Sequence, residues 1–361
     1  MTTYADSGVN IELGDDSSKI MYEAAKATWV NRKGRLGEIV SPKDDFSGVR
    51  AVNVSGLPEG SFMSMGFDGI GTKVEIAERM QNHETAAYDL FAMVCDDAVV
   101  CGGEPVLVGS IFDVNTLGTL DVDSFLPFMK QLAKGYVEAA KAARVAVING
   151  EIAELGGRIG GYGNFNYNWG AGLIWFARKD RLFTGDQIKV GDKIVTLREK
   201  GFRSNGISLL RKIMKDNYGE KWHEAKLDGK LIGELAMVPS TIYCAAVCDM
   251  FGGFDSKAEC EVHGVAHITG GGIMGKLGRV LKRAGLGAKL DNLFEPCDLM
   301  KHAIEIGNVS RDEAYRTWNM GNGMVVVVKH GEEAKAIEIA GKHGIEAKVC
   351  GEITEGQNIV F

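Results

Sequence analysis

The sequence predicts a two-domain protein of the α/β or α+β class. Its 361 residues are more than one average domain needs, and strand-like apolar runs occur among segments of helical periodicity in both halves. A polar, charged stretch at residues 178–192 separates the two halves. We therefore predict an N-terminal domain of residues 1–177 and a C-terminal domain of residues 178–361.

Periodicity and turn residues locate the elements of the first half. Ser17 or Ser18 is predicted to cap a helix that runs to about Val30. Strands at 49–54 and 61–66 flank a turn that contains glycine and proline, which is typical of a hairpin. The further predicted elements are a helix at 84–100, a strand at 106–112, a helix at 122–143, a strand at 145–148 and a strand at 171–177.

The second half contains the same mixture of strands and helices, without an internal repeat or a heptad run. This mixture is the basis of the fold-class prediction. The predicted elements are a strand at 193–197, helices at 204–215, 240–250 and 273–284, a short helical pair near 298–317, a strand at 324–328, a helix at 332–343 and a strand at 347–353.

The composition argues against several classes of function. With 41 basic and 48 acidic residues the formal net charge is −7, which disfavours a general nucleic-acid binder. No run of about 18 apolar residues is present and the N-terminus lacks the features of a signal peptide, so we expect a cytoplasmic protein that does not bind a membrane. The seven cysteines include no Cys-x-x-Cys pair, which favours reduced thiols over a disulfide or zinc framework.

Four segments rich in glycine or acidic residues could carry chemistry, and the first is G-F-D-G-I-G-T-K at 66–73. In a Walker phosphate loop the lysine directly follows a glycine, whereas here Thr72 stands before Lys73. Asp68 at a strand end could hold Mg²⁺, and Lys73 could neutralise a phosphate. The alternative is a plain glycine turn with a solvated aspartate and lysine.

The second segment, at 95–105, places Asp96 and Asp97 on a helix that is otherwise almost entirely apolar. Burying these carboxylates would be costly unless a cation or hydrogen bonds satisfied them. They are therefore candidates for a ligand site. The alternative is that both lie on the exposed face of the helix.

The third segment, N-G-E-I-A-E-L-G-G at 149–157, directly follows a predicted buried strand. A carboxylate such as Glu151 in this place is suited to a ligand at the end of a sheet. The alternative is a surface loop whose acidic residues provide solubility.

The fourth segment, H-I-T-G-G-G at 267–272, precedes a predicted helix. Free N–H groups and the positive end of the helix dipole favour a phosphate there; the alternative is an N-cap with a tight turn. His263 and His267 are four residues apart, but without a third ligand nearby a metal pair is disfavoured.

Each segment is weak evidence alone, but together and in this order they resemble the aminoimidazole ribonucleotide (AIR) synthetase family of cyclo-ligases. The resemblance extends over essentially the whole chain. The segments that carry it are Y-A-D-S-G-V-N-I (4–11), G-F-D-G-I-G-T-K (66–73), H-E-T-A-A-Y-D-L-F-A-M (83–93), D-D-A-V-V-C-G-G-E-P (96–105), N-G-E-I-A-E-L-G-G (149–157), R-S-N-G-I-S-L (203–209), V-P-S-T-I-Y (238–243), V-A-H-I-T-G-G-G (265–272) and Y-R-T-W-N-M-G-N-G-M (315–324).

This resemblance implies an enzyme that closes a ring at the expense of ATP. Members of the family convert formylglycinamidine ribonucleotide, a phosphoribosyl amidine, into aminoimidazole ribonucleotide, with ADP and phosphate as products and Mg²⁺ as cofactor. Their two-domain fold is a homodimer in which the N-terminal domains pair into a shared β-barrel and each carries a C-terminal α/β domain.

The resemblance also implies roles for individual residues of this chain. Asp68, Lys73, Asp97 and Glu151 would be the catalytic set, and Asp68 and Asp97 would hold Mg²⁺. The nucleotide-binding residues would be Asp68, Gly69, Gly71, Thr72, Lys73 and Asp97. The substrate-binding residues would be Asn205, His267, Thr269, Gly270, Gly271 and Asn319.

One departure from the family pattern bears on mechanism. The family has Pro-His before the Ser-Asn-Gly segment, where this chain has Phe202 and Arg203. A titratable imidazole has become a permanent cation, so this position cannot transfer a proton but could act electrostatically.

Two alternatives to the cyclo-ligase remain. One is another ATP-dependent enzyme of the same superfamily with a different acceptor, such as a synthetase domain, a selenophosphate-type enzyme or a small-molecule kinase. The other is a catalytically silent nucleotide-binding assembly protein. The joint presence of the four catalytic candidates argues against the silent protein, because a scaffold has no need of clustered charge.

Overall fold

The computed structural model describes residues 10–40, 49–118 and 124–361. Within them the chain is a mixed α/β protein with two compact units, which confirms the predicted fold class. Two short segments, Gly60–Phe62 and Asp96–Glu104, belong to the second unit although they precede residue 178; the functional boundary at 177/178 stays a prediction. The N-terminal unit comprises the described parts of Met1–Glu59, Met63–Cys95 and Pro105–Trp175, and the C-terminal unit comprises Gly60–Phe62, Asp96–Glu104 and Phe176–Phe361.

The described strands of the N-terminal unit form two sheets. The small sheet pairs β1 (Ile39–Val40) with β2 (Ala51–Val52). The main sheet contains β3 (Ser61–Gly69), β4 (Glu104–Val114), β5 (Ala146–Glu154) and β6 (Tyr167–Arg178), in the spatial order β3-β6-β4-β5. The helices are α1 (Ile11–Ala27), α2 (Val74–Met80), α3 (Ala86–Val99) and α4 (Leu126–Ala143).

A parallel crossover forms the centre of this unit. Strands β4 and β5 are parallel neighbours, and α4 connects them. Helix α4 buries Leu132, Tyr136 and Ala140, which are four residues apart and share one face. The crossover aligns residues 149–151 of β5 with residues 109–111 of β4. The segment at 149–151, which includes Asn149 and Glu151, therefore continues the strand that the apolar residues before it begin.

Helix α1 begins earlier than predicted. Asn10, not Ser17 or Ser18, is the N-cap, because its Oδ1 accepts a hydrogen bond from the Leu13 N–H at 3.1 Å. Ser17 is buried inside the helix. In the sequence, a serine among polar residues looks like a helix cap. In the structure, Ser17 lies within the helix and on its buried face, so it cannot be the cap.

The predicted hairpin of 49–54 with 61–66 is wrong. Within the described residues β2 pairs with β1, whereas β3 lies in the main sheet beside β6. The third segment is also a strand and not a loop, since β5 continues to Glu154 and pairs with β4 as far as Val114. Pairing partners depend on contacts between distant parts of the chain, which local alternation does not contain. Part of the predicted helix at 122–143 lies outside the described residues.

The C-terminal unit has a six-stranded sheet in the order β10-β12-β7-β13-β11-β14. All of its neighbours are antiparallel except the parallel pair of β11 with β14. The strands are β7 (Lys193–Arg198), β10 (Val262–His267), β11 (Gly287–Leu290), β12 (Asn322–Val328), β13 (Ala347–Thr354) and β14 (Ile359–Val360), with a separate pair β8 (Lys226–Leu227) and β9 (Lys230–Leu231). The helices are α5 (Ile207–Tyr218), α6 (Ile232–Ala236), α7 (Cys244–Phe251), α8 (Gly272–Leu281), α9 (Asp298–Ile306), α10 (Arg311–Thr317) and α11 (Glu333–Lys342).

One part of the core of this unit lies between the sheet and α8. Every residue of β12 is buried, as the predicted apolar strand at 324–328 requires. Val325 and Val327 belong to the same buried cluster as Ile273 and Leu277 of α8. Burying an aliphatic side chain of this size stabilises the fold by about 1.5–3 kcal/mol.

Helix α5 begins at Ile207 and not at the predicted residue 204. Arg203 and Gly206 have φ angles of 59° and 73°, and neither fits a right-handed helix. The predicted helix at 240–250 likewise begins later, at Cys244. Among the elements that the sequence did not predict, β10 matters most because it ends at His267.

Two properties of the described chain relate to the composition. All seven cysteines are free thiols. None of the helices in residues 10–40, 49–118 and 124–361 is long and apolar enough to cross a membrane.

Candidate functional site

The segment 66–73 forms the end of β3 and the turn into α2. The Ile70 N–H donates to the Trp169 carbonyl at 3.1 Å, and a Cβ atom on Gly69 would lie 3.2 Å from the same oxygen. Glycine is therefore favoured where the turn approaches β6, because a larger residue would need the neighbouring backbone to shift slightly. Asp68 is half-buried, and its Oδ1 accepts a hydrogen bond from the Gly69 N–H at 2.7 Å.

Lys73 is not the solvated lysine of the alternative interpretation. Its side chain is 3% exposed, and its Nζ lies 2.7 Å from Oδ1 of Asp89 on α3. Both partners are buried, so the pair compensates the cost of removing two charges from water. The structure thus gives Lys73 a partner inside the N-terminal unit.

Asp68 and Glu151 share a cleft of the N-terminal unit. The cleft has a volume of about 740 Å³, and its wall includes Asp68, Gly69 and residues 149–151 of β5. Glu151 is exposed, and it also lines a neighbouring cavity of about 500 Å³ beneath α1. The structure therefore brings together two of the predicted acidic residues from segments about eighty residues apart in sequence.

Asp96 and Asp97 have opposite environments. Asp96 is fully buried, and its Oδ1 accepts hydrogen bonds from the N–H groups of Tyr243 and Cys244 at 2.9 and 2.8 Å, at the start of α7. Burial raises the pKa of the Asp96 carboxyl, against the effect of the positive charge of Arg203. The Asp97 side chain is 58% exposed. Neither of the two simple expectations, both buried or both exposed, is correct.

Arg203 lies at the centre of a buried network. Its Nη1 donates to Glu199 Oε2 at 2.9 Å and to the Thr241 carbonyl at 2.7 Å. Its Nη2 donates to Asp96 Oδ2 at 3.0 Å and contacts Nε2 of His267 at 2.8 Å. Burial disfavours the cation, but the two carboxylates raise the pKa of Arg203 above its ordinary value. The cost of burying these acids is therefore offset by a cation.

His267 connects this network to Asp97. The ring is buried at the end of β10, and its Nδ1 lies 2.7 Å from Asp97 Oδ1. Burial opposes ionisation of Asp97, yet the hydrogen bond from His267 and the charges of Lys276 and Arg203 lower the pKa of its carboxyl. Asp97 is thus an ionised, exposed carboxylate at neutral pH.

The glycine segment after β10 forms the tight start of α8. Gly271 and Gly272 have φ angles of 95° and 61°, and a Cβ atom on Gly272 would lie 1.7 Å from the Tyr315 carbonyl. Thr269 is buried, whereas Gly270 and Gly271 are exposed. The Gly271 N–H donates to the Arg316 carbonyl at 3.0 Å, so the exposed turn is held in place directly before the ten-residue helix α8.

Asn205 approaches this turn. A Cβ atom on Gly270 would lie 3.8 Å from Asn205 Nδ2. Within the described part of the chain, Asn205 Oδ1 and the neighbouring Ser204 Oγ are buried without a hydrogen-bond partner. Unsatisfied buried polar atoms are uncommon and call for an explanation, such as a bound ligand.

Asn319 is used by the backbone around it. Its Nδ2 donates to the Gly201 carbonyl at 2.9 Å, and its Oδ1 accepts from the Gly321 N–H at 2.8 Å. Both ends of the amide are thus engaged in fixing two loops. This arrangement favours a positioning role over direct contact with a ligand.

Sequence reasoning found some members of these clusters and missed others. Asp97 and His267 were both candidates, but nothing in the sequence linked them. Arg203 was noted only as a departure from the family pattern, and Glu199 gave no signal. No group of three or more His, Cys, Asp or Glu side chains that could hold a metal occurs among the residues that the structure describes.

The fold and these segments define a member of the AIR synthase class. The N-terminal domain model of AIR synthase related proteins matches residues 49–168, and the C-terminal domain model matches residues 189–361. The chain belongs to this family.

Curated relatives match nearly the whole chain. The chain is 33% identical over 363 residues to a protein of Sorangium cellulosum, covering 99% of this chain and 97% of the relative. It is 32% identical to a protein of Acetivibrio thermocellus, with 98% and 97% covered. It is 31% identical to a protein of Methanocaldococcus jannaschii, with 99% and 94% covered. All three are named phosphoribosylformylglycinamidine cyclo-ligase.

Solved structures share the fold at low sequence identity. E. coli HypE, a hydrogenase maturation protein, has a TM-score of 0.59 at 14% identity, with 95% of this chain and 91% of that chain covered. Thiamine-monophosphate kinase from Stenotrophomonas maltophilia K279a has a TM-score of 0.56 at 13% identity, with 94% and 95% covered. At such identities these similarities show the fold alone.

Proposed function

We propose that this protein catalyses the ATP-dependent cyclisation of formylglycinamidine ribonucleotide to aminoimidazole ribonucleotide in purine biosynthesis, with release of ADP and phosphate. The observation that carries this proposal is the similarity, over nearly the whole chain, to relatives named for that activity. The candidate acids of the family pattern are all present in the sequence.

The reaction requires a poor leaving group to be replaced by a good one. ATP would transfer its γ-phosphoryl group to the formamide oxygen of the substrate, and ADP would leave. The amidine nitrogen would then attack the activated carbon, closing the ring, and phosphate would carry away the oxygen. Catalysis of both steps depends on positioning the reactants and neutralising phosphate charge.

We propose a magnesium ion as cofactor, on the chemistry of each acidic residue taken separately. Asp97 is exposed and ionised, Asp68 is half-buried at a strand end, and Glu151 is exposed in the same cleft as Asp68. Carboxylate oxygens of this kind are the ligands that Mg²⁺ prefers. Asp68 and Asp97 would hold the ion, with Glu151 as a further acid, and the bound ion would neutralise charge on the phosphates of ATP.

The remaining candidates divide between nucleotide and substrate. The nucleotide side would be lined by Gly69, Gly71, Thr72 and Lys73. Lys73 would neutralise phosphate charge while its ion pair with Asp89 holds its side chain. On the substrate side the exposed turn of Gly270 and Gly271, directly before α8, would face a ribose phosphate. The buried, unpaired Oδ1 of Asn205 suits an N–H donor of the substrate. His267, Thr269 and Asn319 would shape this side of the site.

A homodimer accompanies this function in our proposal. The main sheet of the N-terminal unit exposes a row of apolar side chains on β3, namely Met63, Met65 and Phe67, with Ile111 on β4. Phe67 is 76% exposed. A contiguous apolar face of this kind marks a binding surface, and the same face of a second copy would complement it. Two such sheets packed together would form the shared barrel.

We also place the protein in the cytoplasm. Its seven free thiols suit a reducing compartment, and the cytoplasm supplies the ATP that the reaction consumes.

One assay tests the proposed activity. The purified protein is incubated with ATP, Mg²⁺ and formylglycinamidine ribonucleotide, and aminoimidazole formation is followed together with ADP release. We expect equal amounts of the two products. Absence of ADP with this substrate would refute the proposal, and ADP release only with another acceptor would assign the protein to a different reaction of the superfamily.

A further inference from the structure

A continuous chain of hydrogen bonds runs within the C-terminal unit from a buried cation to an exposed carboxylate. Its members are Arg203, His267 and Asp97. We propose that Arg203 is a positioning residue, which fixes His267 in one tautomer and thereby holds the Asp97 carboxylate in place. The proposal rests on the role of Asp97 in the proposed function and assigns a task to the residue that departs from the family pattern.

The tautomer of His267 follows from what a guanidinium can do. Arginine donates hydrogen bonds and has no acceptor, so the 2.8 Å contact of Arg203 Nη2 requires a lone pair on His267 Nε2. The hydrogen of the neutral ring must then be on Nδ1. That nitrogen lies 2.7 Å from Asp97 Oδ1 and donates to it. The direction of both bonds is therefore set at the arginine end.

Arg203 is itself held rigidly. It is 1% exposed, and the acceptors of its two terminal nitrogens include Glu199, the Thr241 carbonyl, Asp96 and His267. Its Cζ also lies 5.1 Å from the centre of the Tyr243 ring. The backbone adopts a φ of 59° at this residue, a conformation that is uncommon for a side chain of this size. Lysine has only three donors and no planar fork, so it could not reproduce this set of bonds.

The position of Asp97 depends more on the hydrogen bonds that link Arg203, His267 and Asp97 than the position of Asp96 does. Two backbone N–H groups and Arg203 hold Asp96, whereas His267 is the one side chain that hydrogen-bonds Asp97 among the residues described. An exposed carboxylate with a single bond can change its rotamer easily. If His267 turned or exchanged its hydrogen, Oδ1 of Asp97 would lose its partner and the other oxygen would no longer point in a fixed direction.

The test combines a spectroscopic readout with kinetics. Imidazole ¹⁵N shifts of histidine-labelled protein report which ring nitrogen carries hydrogen, and a His267→Asn variant assigns the signal among the seven histidines. We expect Nδ1–H in the wild type and a mixture of tautomers in Arg203→Met. We also expect kcat to fall by about 10–100-fold, the range seen when a residue that orients a ligand is removed, with little change in KM for formylglycinamidine ribonucleotide. Arg203→Lys should recover part of the loss.

A matched control separates positioning from general damage to the core. His263 forms another buried pair in the same unit, with its Nδ1 2.7 Å from Asp192 Oδ2, and it does not contact the chain of bonds proposed here. His263→Gln should leave both the His267 signal and kcat unchanged. A loss of kcat in this variant as large as in Arg203→Met would refute a specific role for Arg203.

Two further results would overturn the proposal. One is a hydrogen on Nε2 of His267 in the wild type, which needs no variant and therefore stands even if Arg203→Met does not fold. The other is a folded Arg203→Met protein with the wild-type tautomer and kcat. The wild-type spectrum is recorded without substrate. Nδ1–H in a protein that forms no aminoimidazole would therefore support the positioning role while refuting the proposed function.

Discussion

His83 is a buried imidazole whose contribution to stability depends on pH. Its ring is 1% exposed in the N-terminal unit and packs against Phe128 and Phe165, with centroid distances of 4.7 and 5.3 Å. Its Nδ1 lies 3.1 Å from the hydroxyl oxygen of Tyr167. Burial lowers the pKa of His83 to about 4, so the folded protein keeps this ring neutral.

The sign and size of the effect follow from linkage. Between the ordinary pKa of 6.5 and the folded pKa of about 4, the unfolded chain binds a proton that the folded chain does not bind. Stability is therefore complete above the first value and is lost as the pH falls toward the second. A difference of about 2.5 pKa units corresponds to about 3 kcal/mol in the free energy of unfolding.

The perturbation is His83→Phe, which keeps an aromatic ring in the cluster and removes the titrating group. Urea unfolding at about pH 7.5 and about pH 4.5 should show that the wild type loses about 2–3 kcal/mol more than the variant between the two conditions. Phe128→Leu disturbs the same cluster without changing a charge. Its free energy of unfolding should therefore be lower than that of the wild type by a similar amount at both pH values. Equal pH dependence in the wild type and His83→Phe would refute the argument that His83 is buried in its neutral form.

Asp68→Asn should abolish most ADP release and leave the oligomeric state unchanged, because an amide replaces the carboxylate that we propose as a metal ligand; sustained turnover would remove Asp68 from the proposed metal site. Lys73→Met should lower the free energy of unfolding of the N-terminal unit by about 3–5 kcal/mol, since the buried Asp89 carboxylate loses the ammonium beside it, and an unchanged urea midpoint would contradict this. Phe67→Glu should produce a monomer in sedimentation experiments, because a charge on the exposed apolar face opposes its burial. A matched substitution at the exposed Tyr218, Tyr218→Glu, should leave the proposed dimer intact, and a Phe67→Glu dimer would exclude this face as the interface.

The spacing of apolar residues correctly predicted elements that are buried along their whole length or on one regular face. Strand β12 is buried along its whole length. The run Met324–Val328 predicts this burial, because every residue in it is apolar. Helix α4 ends at Ala143 as predicted, with a regular apolar face. Strand β10 was missed because its sequence, V-H-G-V-A-H, mixes polar and apolar residues. It is a strand because it pairs with β12, with His267 opposite Met324.

Hydrogen bonds to residues far away in the chain decided the details of the candidate site. The predicted phosphate contact of Lys73 stays a prediction, and the structure adds a buried ion pair with Asp89. The predicted substrate contact of Asn319 likewise stays a prediction, and the structure adds hydrogen bonds by which its amide fixes two loops. The sequence contains the residue types that a site needs, but it does not state which partner each one finds.

The sequence by itself determined the family, the order of the motifs and the identity of the candidate acids, because these depend on residue type and spacing alone. Only the tertiary structure decided that Asp96 is buried and Asp97 exposed, since neighbours on a helix point in directions about 100° apart. It also joined Asp96 to Arg203, 107 residues away, and Asp97 to His267, 170 residues away. The ionisation and orientation of a carboxylate depend on burial and on nearby charges, and for these residues both arise from contacts that form only when distant segments fold together.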